Sequence, residues 1–232
     1  GSENDPADHK GAVHPGEHGG ILGGEEQEDG RIEKSGRIGG RNGGRTDMTH
    51  VFIVGSKGIP AKYGGFETFV ENLTLRKKSP DLHYHVSCMG WEETHFIHNG
   101  ADCFSVRLPL KGAPGRILHV AGALKRIEKW KSENPEKKAI VYILGCRIGP
   151  FMIPHARKLH RLGISIFVNP DGLEWKRDKW NRLAKKFLKY CESCLVRNAD
   201  LVICDSIHIE KYIQDTYPRT KGRTKYIAYG AD

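Results

Sequence analysis

Three stretches of this 232-residue chain gather residue types that hold phosphates and hydroxyls. The first reads Gly55-Ser56-Lys57-Gly58-Ile59-Pro60-Ala61-Lys62-Tyr63-Gly64-Gly65-Phe66-Glu67-Thr68, a basic loop that closes on two glycines where a helical pattern begins. Glycine lets backbone approach a phosphate closely, and a helix start supplies unpaired N–H groups and the positive end of a dipole. Neither Gly-x-Gly-x-x-Gly nor Gly-Lys-Ser/Thr is present, which argues against dinucleotide oxidoreductases and P-loop nucleotidases. Glu67 either accepts from a sugar hydroxyl or favours the helix start electrostatically, and spacing alone does not separate the two.

The second stretch, Gly145-Cys146-Arg147-Ile148-Gly149-Pro150, presents Arg147 to an anion or leaves it as a surface residue beside a turn with proline at a helix start. The third is the densest: Asn169-Pro170-Asp171-Gly172-Leu173-Glu174-Trp175-Lys176-Arg177-Asp178-Lys179-Trp180. Pro-Asp-Gly is a turn by its own chemistry. The carboxylates, aromatic rings and cations that follow suit a hydroxylated substrate bearing an acidic group, against the plainer reading of a charge run that caps the next helix. Cys191-x-x-Cys194 has no second pair and no histidine at ligand spacing, and it falls inside a helical pattern, so reduced, buried thiols are expected.

The elements that must carry these stretches alternate. Short β-branched runs at 50–54, 83–88, 103–108, 140–144, 164–168, 201–204 and 225–228 predict seven strands. Between them, Phe66, Phe69, Val70 and Leu73 mark one helix, Ile117, Val120, Ala121, Leu124 and Ile127 a second, and Ile209, Tyr212 and Ile213 the last. From 178 to 198 a stripe of Trp180, Leu183, Ala184, Phe187, Leu188 and Cys191 faces away from Lys179, Arg182, Lys185, Lys186 and Lys189, predicting a basic amphipathic helix. The fold class is α/β, a doubly wound Rossmann-like parallel sheet, and ligands of such sheets bind beyond the carboxyl ends of the strands. The three stretches follow the first, fourth and fifth predicted strands.

Residues 1–47 carry no aromatic residue and no cysteine, and about a quarter of them are glycine, too little apolar surface to offset ordering. They are expected to be a disordered tag, linker or non-native leader, with the folded domain at 48–232. That domain holds 31 of the chain's 37 Lys/Arg and 18 of its 28 Asp/Glu, a surplus that favours an anionic partner. No apolar run approaches the roughly 18 residues of a membrane span, so a cytoplasmic protein is expected. Nucleic acid is the least favoured anion, since aromatic RNA-binding signatures, zinc fingers and a helix-turn-helix cue are lacking.

Taken together, 51–71, Asn169 to Arg177, Ala-Asp-Leu-Val-Ile-Cys-Asp-Ser (199–206) and Tyr-Ile-Ala-Tyr-Gly-Ala-Asp (226–232) resemble the N-terminal domain of family-four glycosyltransferases of the bacterial rhamnosyltransferase type. The resemblance implies one half of a GT-B architecture, the acceptor side, with the C-terminal donor-binding domain absent and an isolated fragment that does not turn over. It implies transfer of a sugar, rhamnose from dTDP-rhamnose, to a lipid-diphosphate-linked saccharide in surface polysaccharide synthesis, with peripheral contact at the inner face of the plasma membrane. The alternative is a non-catalytic module that binds sugar-nucleotide or acceptor. No metal and no cofactor are expected. Carried over by position, Asp171 and Glu67 lie at the reacting centre, Gly64, Gly65, Lys62 and Arg147 approach the donor phosphates, and Tyr63, Glu174, Trp175, Lys176 and Arg177 meet the acceptor.

Overall fold

A computed structural model describes residues 48–107, 110 and 112–228. The leader 1–47, the expected strand end at Leu108 and residues 229–232 lie outside the described residues. Eight strands form one sheet: β1 (Thr49–Val54), β2 (Leu82–Gly90), β3 (His95–His98), β4 (Ala101–Arg107), β5 (Lys138–Leu144), β6 (Ser165–Asn169), β7 (Leu201–Cys204) and β8 (Thr224–Tyr226). Their order is β3-β4-β2-β1-β5-β6-β7-β8, parallel throughout except for β3 against β4. The helices are α1 (Gly65–Leu75), α2 (Gly112–Glu133), α3 (Met152–Arg161), α4 (Arg182–Arg197) and α5 (Ile207–Thr216).

Strand β1 shows how the layers arise. Phe52 and Val54 point to one face and Ile53 to the other, as a two-residue period requires, and all three are buried. Phe52 and Val54 join Val120, Leu124 and Ile127 of α2, Met152 and Leu159 of α3, Leu195 of α4 and Ile213 of α5. Ile53 joins Val86 and Leu144 beneath Phe66, Phe69 and Val70 of α1. This division follows from handedness. The chain moves from β1 to β2 in one direction across the sheet and from β4 through β8 in the other, so right-handed crossovers put α1 on one face and α2 to α5 on the opposite one. The strand order reverses between β1 and β5, the point at which doubly wound sheets bind ligands beyond the carboxyl ends of their strands.

Two expectations are corrected. An eighth strand, β3, lies between β2 and β4 in the chain, where no element was expected; His95–His98 alternates exposed and half-buried side chains, too short a pattern to stand out in sequence. The basic helix begins at Arg182 rather than near 178, and its buried face is Cys191, Glu192, Cys194, Leu195 and Val196. Leu183 and Phe187, expected in the buried stripe, are 77% and 50% exposed. Only the second half of α4 lies over the sheet; its beginning stands beside the 170–180 loop, with Asn181 capping it by accepting from the Ala184 N–H at 2.8 Å.

Candidate functional site

The loops after β1, β5 and β6 are joined at the rim. Gly55 leaves β1 at φ +102 so close to β5 that a Cβ there would lie 2.2 Å from the Leu144 carbonyl oxygen. The Gly145 N–H donates to the Asn169 carbonyl at 2.8 Å, coupling the end of β5 to the end of β6. The glycine doublet and the Asp171 loop therefore share one edge of one sheet.

The first loop is held from below by α1. Glu67 is buried, and its Oε1 accepts the Lys57 N–H at 2.7 Å. One turn later Glu71 Oε2 accepts the Ala61 N–H at 2.8 Å, while Oε1 meets His98 Nε2 at 2.6 Å and Asn99 Nδ2 at 2.8 Å. Burial works to raise the Glu71 pKa, but the hydrogen bonds from His98, Ala61 and Asn99 win and hold it below the ordinary value. Gly64 enters α1 at φ +118, and a Cβ there would meet Glu67 Oε2 at 1.9 Å, so the first glycine of the doublet avoids backbone strain and leaves the Glu67 carboxylate in place. A Cβ at Gly65 meets nothing within 4 Å. Lys57, Lys62, Tyr63 and Glu67 line an open groove of about 800 Å³ whose other wall includes Met89 and Phe96. Tyr63 is 82% exposed there, with Lys57 Nζ 5.7 Å from its ring centre.

A second cavity, about 240 Å³, lies beyond β5 and β6 and is lined by Gly145, Arg147, Asp171, Trp175, Phe187 and Glu192, among others. Asp171 has φ +66, a conformation that aspartate tolerates because its short polar side chain bonds locally. Its N–H donates to Asn169 Oδ1 and its Oδ1 accepts the Gly172 N–H, both at 2.8 Å. Arg147 is exposed at the cavity wall. Glu174, also in the wall, is largely engaged by its own loop: Lys179 Nζ at 2.8 Å, Arg177 Nε at 3.0 Å and Trp180 Nε1 at 3.2 Å. Burial raises its pKa, but the Lys179 and Trp180 hydrogen bonds and the Arg177 and Lys179 charges bring it below the ordinary value. Lys176 and Arg177 are exposed to solvent, Lys176 lying 5.5 Å from the Trp175 ring centre.

The sequence-predicted residues thus fall into two neighbouring groups. Lys62, Tyr63 and Glu67 face the larger groove, while Arg147, Asp171, Glu174 and Trp175 face the smaller cavity. Gly64 and Gly65 lie at the mouth of α1 and Lys176 and Arg177 outside the second cavity. Three participants were missed by sequence reasoning. Asp205 follows β7 as Asp171 follows β6; burial, and then the Asp171 charge, push its pKa up. Its position directly after a strand was the available signal. Glu192, buried in α4, accepts from Tyr212 and Tyr217 hydroxyls at 2.7 Å and from Lys189 at 2.8 Å through one oxygen, and Lys189 also meets the Tyr212 hydroxyl. That network backs the Trp175 ring, whose centre is 4.9 Å from Lys189 Nζ. Nothing in the sequence distinguished Glu192 from a surface glutamate. Glu71 sits one helical turn after Glu67, and its bonds to His98 and Asn99 lie too far along the chain to be read from the sequence.

Among solved structures, the chain is similar to a putative UDP-N-acetylglucosamine 2-epimerase from Listeria monocytogenes, at 11% identity over 77% of this chain and 44% of that one, TM-score 0.49. It is also similar to TcCGT1 in complex with UDP, at 12% identity over 79% and 51%, TM-score 0.48. A trehalose-6-phosphate structure from E. coli bound with UDP-2-fluoro glucose gives 13% identity over 79% and 49%, TM-score 0.43. The chain spans about half the length of each. No curated protein matches it. Among the described residues no helix is long and apolar enough to cross a membrane. Residues 48–232 match the family model described as Domain of unknown function (DUF1972), and the chain belongs to that family.

Proposed function

We propose that this domain is the acceptor-side half of a GT-B glycosyltransferase and that the crevice between β1 and β5 faces a nucleotide-sugar held mainly by a second domain. The observation that carries the reading is the union of three loops at the strand-order reversal: a glycine-rich helix entrance, an exposed arginine and a carboxylate in a strained turn, linked through Gly55, Gly145 and Asn169. Diphosphate approaches the α1 entrance near Gly64 and Gly65, since a helix start offers unpaired N–H groups and a positive dipole end, and Lys62 and Arg147 add positive charge. The sugar lies toward Asp171 and Asp205.

In the retaining, same-face chemistry implied by the family-four resemblance, the leaving phosphate takes the acceptor proton. Asp171 then orients or polarises the acceptor hydroxyl. Glu67 supports the reaction by holding the loop, since its Oε1 accepts from the backbone at Lys57. The donor is dTDP-rhamnose and the acceptor a lipid-diphosphate-linked saccharide used in surface polysaccharide synthesis. A lipid-borne acceptor is supported by the first half of α4, where exposed Leu183, Phe187 and Tyr190 lie among exposed Arg182 and Lys186. Each cation near an anionic leaflet contributes about 1 kcal/mol, and the apolar side chains can enter the headgroup layer.

The test is transfer by the intact protein, second domain included, across a panel of nucleotide-sugars with a polyprenyl-diphosphate-linked sugar as acceptor. Transfer of rhamnose, reduced at least 100-fold by Asp171→Asn, is expected. A protein that binds nucleotide-sugar but transfers none of the panel would be a binding module and would overturn the proposal.

A further inference from the structure

At the amino-terminal edge of the sheet, away from the crevice, the register aligns a second set of chemically active side chains. His50 pairs with His83, Phe52 with His85, and His85 with Asp102, so the alternation of the strands puts His50, His83, His85 and Asp102 on the face that α2 covers. We infer that His83, His85 and Asp102 form a binding site for a divalent transition-metal ion of the zinc class, with His95 as the fourth ligand.

The spacing supports an ion. His83 Nε2 lies 2.7 Å and His85 Nδ1 3.5 Å from the same Asp102 oxygen, and one ligand atom from each of the three residues falls within a 4.8 Å group. Ligands bound tetrahedrally at about 2.0–2.1 Å lie roughly 3.3 Å apart, between these two separations. The 3.5 Å separation exceeds a normal N–H···O hydrogen bond, so His85 and Asp102 meet as two ligands better than as donor and acceptor. His95 Nε2 is 3.9 Å from the other Asp102 oxygen and its ring is exposed, so its role as a ligand requires it to turn inward on binding.

The surroundings orient the ligands. His50 Nδ1 is 2.9 Å from His85 Nε2, so a proton on that nitrogen leaves the Nδ1 lone pair directed at Asp102, the outer-sphere arrangement typical of metal-bound imidazoles. Phe52 stacks on His85 with centroids 4.3 Å apart at 13°, and Trp130 of α2 closes the wall 5.7 Å from it. His85 is buried, and burial disfavours a charged imidazole. On binding, His83 shifts its proton from Nε2 to Nδ1, and no redox change is required. Imidazole with one carboxylate favours zinc, copper(II) or nickel(II) over magnesium or calcium, which prefer oxygen. A cavity of about 360 Å³, bordered by Arg126, Lys129 and Glu133, gives access. Because the ligands come from β2, β3 and β4, the ion would fasten the antiparallel edge strand to the parallel sheet.

The test is calorimetric titration of the whole chain with zinc chloride, with cobalt(II) absorption as a report of tetrahedral geometry. One ion per chain is expected, with intense visible cobalt bands and a zinc-dependent rise in melting temperature. His83→Gln with Asp102→Asn, both half-exposed positions, should remove the cobalt bands and the stabilisation; His50→Phe should weaken binding 10–100-fold. His9, His14 and His18 precede the described residues, so stoichiometric binding that persists in the double variant would assign the metal to them and overturn the inference. So would absence of zinc and cobalt binding by a folded, cooperatively melting wild-type chain.

Discussion

Replacing Gly64 with alanine, and comparing it with the same change at Gly65, separates what the glycine doublet does for the fold from what it does for a ligand. At Gly64 the backbone lies at φ +118, ψ 149, a region essentially restricted to glycine, where a side chain costs about 1–3 kcal/mol. The new Cβ would also fall 1.9 Å from Glu67 Oε2. The carboxylate can swing away, but it then gives up the Lys57 N–H, a hydrogen bond to a buried charged group worth about 1.5–3 kcal/mol. Together the expected loss is about 2.5–6 kcal/mol, or about 5–24 °C of melting temperature for a domain of this size. Gly65 is the first residue of α1, without positive φ and with nothing within 4 Å of its Cβ position, so Gly65→Ala should change stability by less than about 1 kcal/mol. Thermal melts followed by circular dichroism distinguish the pair. Equal melting temperatures for the two variants would refute the bracing role of Glu67 and the strain at Gly64. If the proposed transfer holds, Gly65→Val in the intact protein should keep the fold and abolish transfer, because its side chain would occupy the space proposed for a donor phosphate; wild-type turnover would remove the doublet from that role.

Asp171→Asn should melt within about 0.5 kcal/mol of wild type, since asparagine also tolerates positive φ and retains an oxygen for the Gly172 N–H, whereas Asp171→Ala should lose about 1–2 kcal/mol; an alanine variant as stable as the asparagine one would contradict the turn argument. Asp205 has a folded-state pKa raised by burial and by Asp171, so the folded chain binds the extra proton between the unfolded value near 3.8 and the higher folded value. Stability from this group is therefore complete below that window and lost as pH rises through it. Asp205→Asn should accordingly raise the melting temperature at pH 7 and flatten its pH dependence above pH 4, and an unchanged slope would exclude the interaction. Glu192→Ala should cost about 3–5 kcal/mol by stranding Lys189 and the Tyr212 and Tyr217 hydroxyls, which urea denaturation would measure.

Much of the fold was legible because burial on both faces writes itself into sequence as short apolar runs. The predicted strands at 140–144 and 201–204 coincide with the core of β5 and with β7, and the i, i+3, i+4 pattern at Phe66 locates α1. The pattern misled at α4 because amphipathicity reports which side chains are apolar, not what lies opposite them. Leu183 and Phe187 complete an apolar stripe, yet that half of the helix extends past the sheet and borders a cavity. β3 escaped notice because an edge strand of four residues buries little on either side. In the site, local turn chemistry at Pro170-Asp171-Gly172 could be read directly, but Glu71, Asp205 and Glu192 acquire meaning only through residues 20 or more positions away.

The two ends of the sheet make that contrast physical. At the carboxyl end, chirality alone chooses the place: once the strand order reverses between β1 and β5, right-handed crossovers carry α1 and α2 to opposite faces and leave a crevice between them, so any residue following those strands becomes a candidate. Loop residues there can be found from sequence because their position is fixed by topology. At the amino-terminal end no rule of topology marks a site. His50, His83, His85 and Asp102 meet because β1, β2 and β4 align in register and all four occupy alternate positions on one face. A shift of one residue in the β1–β2 pairing would separate His50 from His83 and His85, and one in the β2–β4 pairing would send Asp102 to the opposite face, dissolving the cluster. The register that hydrophobic burial fixes along Phe52, Val54 and Val86 therefore also sets the geometry of the histidine group.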